Sequence, residues 1–381
     1  MANLILDERD QKFVLFEMLE VDKLCEKPRY QEFSLELFDM ILAEAQKLAV
    51  NEVFPTLVDG DREGCRLEDG QLFVPKSFHR CYKLYCEGGW GAMTCSPEAG
   101  GQGLPYVLSV AAKDWFVHNF AFLAYPGLSE GAAHLIEAFG TEEQKKKYFA
   151  RMVTGEWAGT MCLTEPNAGS DVGNLSTKAV RQPDGTFRLQ GTKIFITAGD
   201  HDLTENIVHP VLARIEGDPP GTKGFMALLG EMGKTVKRYK GVDDLADLAD
   251  HVQDAANTLG EMGLFFAQTA GEGNFLLPIS NAYPFLMMMG KVVAGWLLLW
   301  QAGVANEKLD GLVKEKGVDR SDKSAWNKFV KESKDGAFYA GKIFSARYFI
   351  KNVLPEVEAA AKAMKSEDIS VMEIAEESFA S

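Results

Sequence analysis

The 381 residues carry 55 acidic and 40 basic side chains, a net charge of −15, with 46% apolar, 10% aromatic and 25% charged residues. Those proportions exclude a disordered or fibrous chain, and at roughly 150 residues per domain the length predicts two or three domains. The acidic balance opposes nonspecific attraction to nucleic acid or anionic lipid, so nucleic acid is not expected as a partner.

In chain order, Asp7, Glu8, Arg9 and Asp10 stand where a signal peptide needs its apolar core, so a cytoplasmic location is expected. Residues 1–156 read as a helical domain. Leu35, Phe38, Ile41, Leu42, Ala45, Leu48 and Ala49 recur at helical spacing behind a candidate N-cap, Ser34, with Pro55 soon after. Further helices are expected over 107–119 and 130–139, and Thr141 with Gln144 reads as a capping box opening another. The glycine-rich stretches 88–91 and 97–103 read as loops.

From about residue 157 the period changes from helical to alternating. Residues 178–181 and 186–189 flank Pro183-Asp184-Gly185 as a predicted hairpin, and 193–197, 207–215 and 225–229 read as further strands. These strands do not complete a sheet, so residues 157–230 are expected to form a partial β-domain. Helical periodicity returns over 231–381, with Leu245, Leu248, Val252, Ala255 and Leu259 on one face and two to four more helices up to residue 363. The apolar stretch 281–305 is interrupted by Gly290, Lys291 and Gly295, which predicts a buried helix pair and no membrane span. The last sixteen residues hold five acidic side chains and no basic one, the pattern of a solvated tail. The fold class expected is mostly α with a small β-domain.

Several chemistries fall away. The six cysteines lack paired C-x-x-C spacing and are read as reduced thiols. The six histidines are read as ordinary helix or loop residues with no second ligand at helical spacing, so no metal site is expected. Gly169-Ser170-Asp171 lacks the first glycine of a nucleophile elbow, and Gly100-Gly101-Gln102-Gly103 follows no strand and lacks dinucleotide-binding spacing. The densest segment is 161–173, whose hydroxyls and small residues suit either an ordinary polar turn or close backbone approach to a ligand.

Residues 164–171, Thr-Glu-Pro-Asn-Ala-Gly-Ser-Asp, followed by 191–199, Gly-Thr-Lys-Ile-Phe-Ile-Thr-Ala-Gly, resemble the paired signature of acyl-CoA dehydrogenases. Residues 89–92, 97–105 and 139–148 are similar to that family's helical N-terminal domain. Residues 200–209, with 290–296 and 338–342, resemble its 3-methylmercaptopropionyl-CoA dehydrogenase branch.

The resemblance implies an FAD flavoprotein of fatty acid metabolism, an oligomer that desaturates an acyl-CoA and passes electrons to an electron-transfer flavoprotein. It implies that Leu163 and Thr164 contact the pyrimidine side of the flavin. Ser170, beside Gly169, lies near the pyrophosphate and the CoA phosphate arm, and so serves substrate as well. Phe195 stacks near the ring with Ile196 following it, Thr197 bonds near N5, and Met161 stands where an aromatic is common. The family's base, a carboxylate held across the substrate from the flavin, comes from a helical bundle after a completed β-domain. Here residues 224–229 lead straight to 230–235, which resemble the branch's late helical segment, so the later β-domain, the bundle and its glutamate are expected to be absent. No catalytic residue is assigned; Glu261 and Glu272 read as solvated acids. A shortened, non-catalytic ligand-binding or interaction protein is the alternative reading.

Overall fold

The computed structural model describes residues 4–170, 172–215, 226–375 and 378. Asp171, Phe225, residues 1–3 of the N-terminal reading and 376–377 and 379–381 of the acidic tail lie outside the described residues. Chain contacts divide the protein into two compact units, Met1–Thr222 and Lys223–Ser381.

The first unit is built on helices. Ser34 caps Leu35–Leu48 by accepting from the Leu37 amide at 3.2 Å, and the reciprocal capping box of Thr141 and Gln144 is present. Helices Lys76–Glu87, Tyr106–Phe116 and Phe120–Phe139 enclose Trp115, Phe116, Phe122 and Tyr85, with edge-to-face rings such as Tyr85 on Phe116 at 5.4 Å. Two of the polar side chains that enter this core are paired, whereas the Tyr85 and Ser109 hydroxyls are buried without a partner among the described residues. Gln11 bonds the Ala111 carbonyl and the Trp115 indole, and Asn119 bonds Thr56 while capping the next helix. A hairpin, Arg66–Glu68 with Gln71–Phe73, turns through Asp69-Gly70, both at positive φ. That Asp-Gly pair is the favoured chemistry for a two-residue turn.

Trp157–Gly159 pairs in parallel with Asn206–Val208, and the Gly159 amide donates to Ser129 Oγ at 2.9 Å. A Cβ at Gly159 would lie 2.7 Å from that of Ala132, so glycine lets the strand lie directly on helix Phe120–Phe139. The expected hairpin forms from Lys178–Arg181 and Phe187–Gln190, and Arg214–Ile215 adds a parallel strand on its other side. Among the described residues these two- and three-stranded sheets form no closed barrel. Two strand expectations are corrected. Residues 193–197 form no strand, and 207–215 is split by Pro210 into Asn206–Val208 and Arg214–Ile215.

The third expected strand, 225–229, belongs from Met226 onward to helix Met226–Tyr239, whose turns bury Met232, Val236 and Tyr239. A short apolar run does not by itself separate strand from helix. In the second unit Leu245, Leu248, Val252, Ala255 and Leu259 are all buried, as their spacing predicts, around helix Ala246–Gly271. Five described helices, one beyond the expected range, follow up to Met364: Leu276–Ser280, Ala282–Lys316, Lys323–Glu332, Lys334–Asn352 and Glu356–Met364.

The expected helix pair over 281–305 is instead one 35-residue helix, Ala282–Lys316. By length and composition it could cross a membrane, and 22% of its most apolar stretch is buried. It packs on Lys334–Asn352 and Ala246–Gly271. Gly295 and Gly303 serve close approach, to Leu354 and Tyr239, while Gly290 and Gly311 face open space and the helix runs through all four. At Gly303 a side chain would run into the Tyr239 ring. Gly303→Ala should therefore destabilise the protein by about 1–3 kcal/mol through overpacking. Urea unfolding checks this, and an unchanged midpoint would contradict the packing described.

Candidate functional site

The two glycine- and hydroxyl-rich segments meet through a buried ion pair. The Glu165 side chain is fully buried and Lys193 is 10% exposed, with Lys193 Nζ 2.8 Å from Glu165 Oε1. The other acceptor positions of Glu165 are filled too. Its Oε2 accepts from the Ser176 amide and hydroxyl, both at 2.6 Å, and Oε1 from the Thr177 amide at 2.9 Å. Lys193 also donates to the Leu163 carbonyl at 2.8 Å, and the Ile194 amide donates to the Thr164 carbonyl at 2.9 Å. Burial opposes ionisation of Glu165, but Lys193, Ser176 and Thr177 outweigh it and hold the carboxyl well below the usual carboxylate range.

Backbone geometry follows from this pairing. Glu165 and Ala168 exchange amide-to-carbonyl bonds of 2.9 and 3.2 Å, closing a tight turn with Pro166 and Asn167 at its tip. Gly191 abuts Thr177 so closely that no side chain fits there. Beside them, Cys162 bonds across to Pro210 and Leu212, extending the parallel pairing of 157–159 with 206–208.

Downstream, the branch-like stretch is tied to the helical core. His201 is buried edge-on against Tyr125 at 5.1 Å, burial pushing its pKa down, and Asp202 accepts from the Val74 amide at 2.9 Å. His209 lies 2.8 Å from Thr160 Oγ1.

Of the site residues read from sequence, Leu163 and Thr164 are half-buried and bonded through their backbones to Lys193 and Ile194. Ile196 is half-buried, while Gly169, Ser170 and Thr197 are exposed and Met161 is 37% exposed. Phe195 is 87% exposed at φ +57°, and Ala198 also has positive φ, 54°. A bulky residue in the left-handed region is an outlier that costs about 1–3 kcal/mol and persists only where its surroundings enforce it. The Thr164, Ser170 and Thr197 hydroxyls make no hydrogen bond among the described residues. An exposed aromatic, with solvent-accessible hydroxyls on the two joined segments that have no protein partner, has the chemistry to take a flat heterocycle with polar edges. The residues present therefore fit a flavin.

Sequence reasoning missed Glu165, Lys193, Ser176 and Thr177. The available signal was an acid and a lysine each set among apolar and small residues, where a charge survives burial only if paired. Glu261 and Glu272 are exposed, the first 3.4 Å from Lys365 and the second bonded by Gln268 at 3.0 Å.

Three family models match consecutive parts of the chain: the acyl-CoA dehydrogenase N-terminal domain over 36–156, the acyl-CoA dehydrogenase middle domain over 160–245, and an acetyl-CoA dehydrogenase C-terminal-like domain over 228–375. The chain belongs to the acyl-CoA dehydrogenase family. A 3-methylmercaptopropionyl-CoA dehydrogenase of Ruegeria pomeroyi is 37% identical over 60% of this chain and 40% of its own length. A broad-specificity linear acyl-CoA dehydrogenase of Mycobacterium tuberculosis is 40% identical over 57% and 36%. The chain thus spans about two fifths of the length of these curated relatives. A solved butyryl-CoA dehydrogenase from Megasphaera elsdenii aligns at 18% identity with a TM-score of 0.39, over 87% of this chain and 94% of that one.

Lys193→Met should leave Glu165 buried without its cation and lower the thermal midpoint by at least about 5 °C. Because the folded-state pKa of Glu165 is depressed, its contribution is present at neutral pH. It is lost as pH falls below the ordinary Glu value of about 4.3 toward the folded value. Melts across acidic pH should show this loss in the native chain and a smaller one in Glu165→Gln; equal losses would contradict the pairing.

Proposed function

We propose that this chain is an FAD flavoprotein of the acyl-CoA dehydrogenase type, which α,β-desaturates a short or sulfur-containing acyl-CoA. The observation that carries the reading is the exposed, strained Phe195 beside the Thr164 backbone, fixed by the Glu165 and Lys193 pair. When bound, FAD would accept the hydride that leaves the β-carbon of the thioester. Leu163 and Thr164 would meet the polar edge of the ring through backbone and hydroxyl, and Phe195 would stack beside it with Met161, Ile196 and Thr197 completing the face. Gly169 and Ser170 would take the pyrophosphate, with Ser170 also near the phosphate arm of CoA. The proposed divisions are 1–156, 157–230 and 231–381.

Electron-transfer flavoprotein is the proposed acceptor and a homo-oligomer the proposed state. Phe275, Ile279, Tyr283 and Leu286, each at least 56% exposed, supply apolar surface for self-association. Six free thiols support a reducing, cytoplasmic setting.

A second reading rests on a specific observation. The middle-domain match runs directly into the C-terminal-like match, and Glu261 and Glu272 are solvated acids with other partners. A chain without the bundle's glutamate would bind a ligand without turning it over.

The visible spectrum of the purified protein, before and after anaerobic addition of acyl-CoA thioesters, separates the two. Bound flavin that bleaches with one thioester supports dehydrogenation. Bound flavin that never bleaches supports the non-catalytic reading, and failure to take up FAD overturns the flavin site itself. Phe195→Ala should weaken FAD binding about tenfold, the worth of one aromatic stack. Thr197→Ala should weaken binding or slow reduction. Unchanged affinities and rates in both variants would contradict this placement of the ring.

A further inference from the structure

The search for chemistry outside the signature face leads to helix Phe120–Phe139 and the loop that crosses it. Glu130, His134 and Glu137 recur at four- and three-residue spacing on that helix, so they share one face. This overturns the expectation that no histidine has a second ligand on its own helix. The loop adds Thr94, the buried Cys95 and Ser96.

The metal-ligating atoms of Cys95, His134 and Glu137 all lie within 4.8 Å of one another. His134 Nδ1 is 3.9 Å from Cys95 Sγ and 3.3 Å from Glu137 Oε2. In a tetrahedral zinc centre, bond lengths of about 2.3 Å to sulfur and 2.0–2.2 Å to nitrogen or oxygen place ligand atoms about 3.6 and 3.4 Å apart. These two separations match those values within a few tenths of an ångström, and the remaining one, sulfur to carboxylate, lies within 4.8 Å and would close by up to about 1.2 Å around an ion.

The surroundings orient the ligands as metal sites require. The other ring nitrogen, Nε2, faces Thr94 Oγ1 at 3.0 Å and Glu130 Oε1 at 3.8 Å. With an ion on Nδ1, the hydroxyl and carboxylate at Nε2 would accept the remaining ring proton and orient the ring. Glu130 is 4% exposed, its Oε1 is fixed by Lys113 Nζ at 2.6 Å, and its Oε2 is buried with no hydrogen-bond partner. On the ligand side, Ser96 donates its amide to Glu137 Oε1 at 3.0 Å, which leaves Oε2 for the ion.

We propose that Cys95 Sγ, His134 Nδ1 and Glu137 Oε2 bind a zinc ion that pins the loop after Trp90 to helix Phe120–Phe139. Cys95 binds as thiolate and releases its proton to solvent. The half-exposed sides of His134 and Glu137 leave room for water as the fourth ligand. A thiolate, an imidazole and a carboxylate together select a borderline-soft ion over calcium or magnesium, which prefer oxygen alone. The site is independent of the flavin reading and works by cross-linking.

The test is metal analysis of the untagged protein purified without chelator, then exchange with cobalt(II). About one zinc per chain is expected, with cobalt giving a thiolate charge-transfer band and the visible bands of a tetrahedral ion. Cys95→Ser should abolish the charge-transfer band, and Cys95→Ser and Glu137→Gln should each weaken zinc binding at least about tenfold. Cys162→Ser, which alters the buried thiol 4.0 Å from His209, should leave band and affinity unchanged. Circular dichroism and melting checks that each variant folds. Chelation should lower the melting midpoint of the native chain but not of Cys95→Ser. Substoichiometric zinc that cannot be restored, or a cobalt spectrum without the thiolate band, overturns the proposal; so does a band lost in Cys162→Ser and kept in Cys95→Ser.

Discussion

A single buried ion pair carries the β-region. Removing Glu165 and Lys193 from water is unfavourable unless their polar atoms find partners; here both carboxylate oxygens accept hydrogen bonds and the ammonium group donates to Glu165 and to the Leu163 carbonyl. The same bonds bring two segments that are almost thirty residues apart in sequence into one backbone arrangement. Ser176 and Thr177 are fixed by the carboxylate, Leu163 by the ammonium group, and Ile194 by the carbonyl beside Glu165. Phe195 follows directly, and its unfavourable φ is the local consequence of a neighbour that cannot move.

The helical part of the first unit supplies rigidity where the small sheets cannot. A two-stranded sheet is marginal alone, and a three-stranded one needs an apolar face that the mostly exposed Lys178–Arg181 and Phe187–Gln190 strands do not bury. Trp157–Gly159 is held by Ser129 on helix Phe120–Phe139, and Asp202 and His201 return the chain to Val74 and Tyr125. The exposed face is therefore carried by loops whose ends are anchored in a packed core. Such an arrangement presents backbone and hydroxyl groups without needing them buried.

Features set by neighbouring residues were legible in the sequence. The Ser34 cap, the Thr141 capping box, the hairpin around Asp184-Gly185 and the buried face from Leu245 to Leu259 all depend on contacts a few positions away. Several errors fall where distant groups decide, though the helix read as a strand at 225–229 is a local one. Residues 193–197 have the composition of a strand, but the bond from Lys193 to Glu165 and the positive φ of Phe195 forbid one. Gly290 and Gly295 look like helix breakers, yet the helix runs through both, and Gly295 lies against Leu354. Glu130 and Glu137 stand at helical spacing from His134 in the sequence, a local signal that sequence reasoning missed, while Cys95 reaches it only through the fold. Resemblance located both signature segments, whereas the charges that join them become visible only in three dimensions.

The central claim is that residues 161–170 and 192–199 form one flavin-binding face. Hydrogen–deuterium exchange with and without FAD tests it most directly. The account predicts slowed exchange in both segments together, with little change in the hairpin at 181–187. Protection in neither segment, or protection confined to another part of the chain, would contradict it.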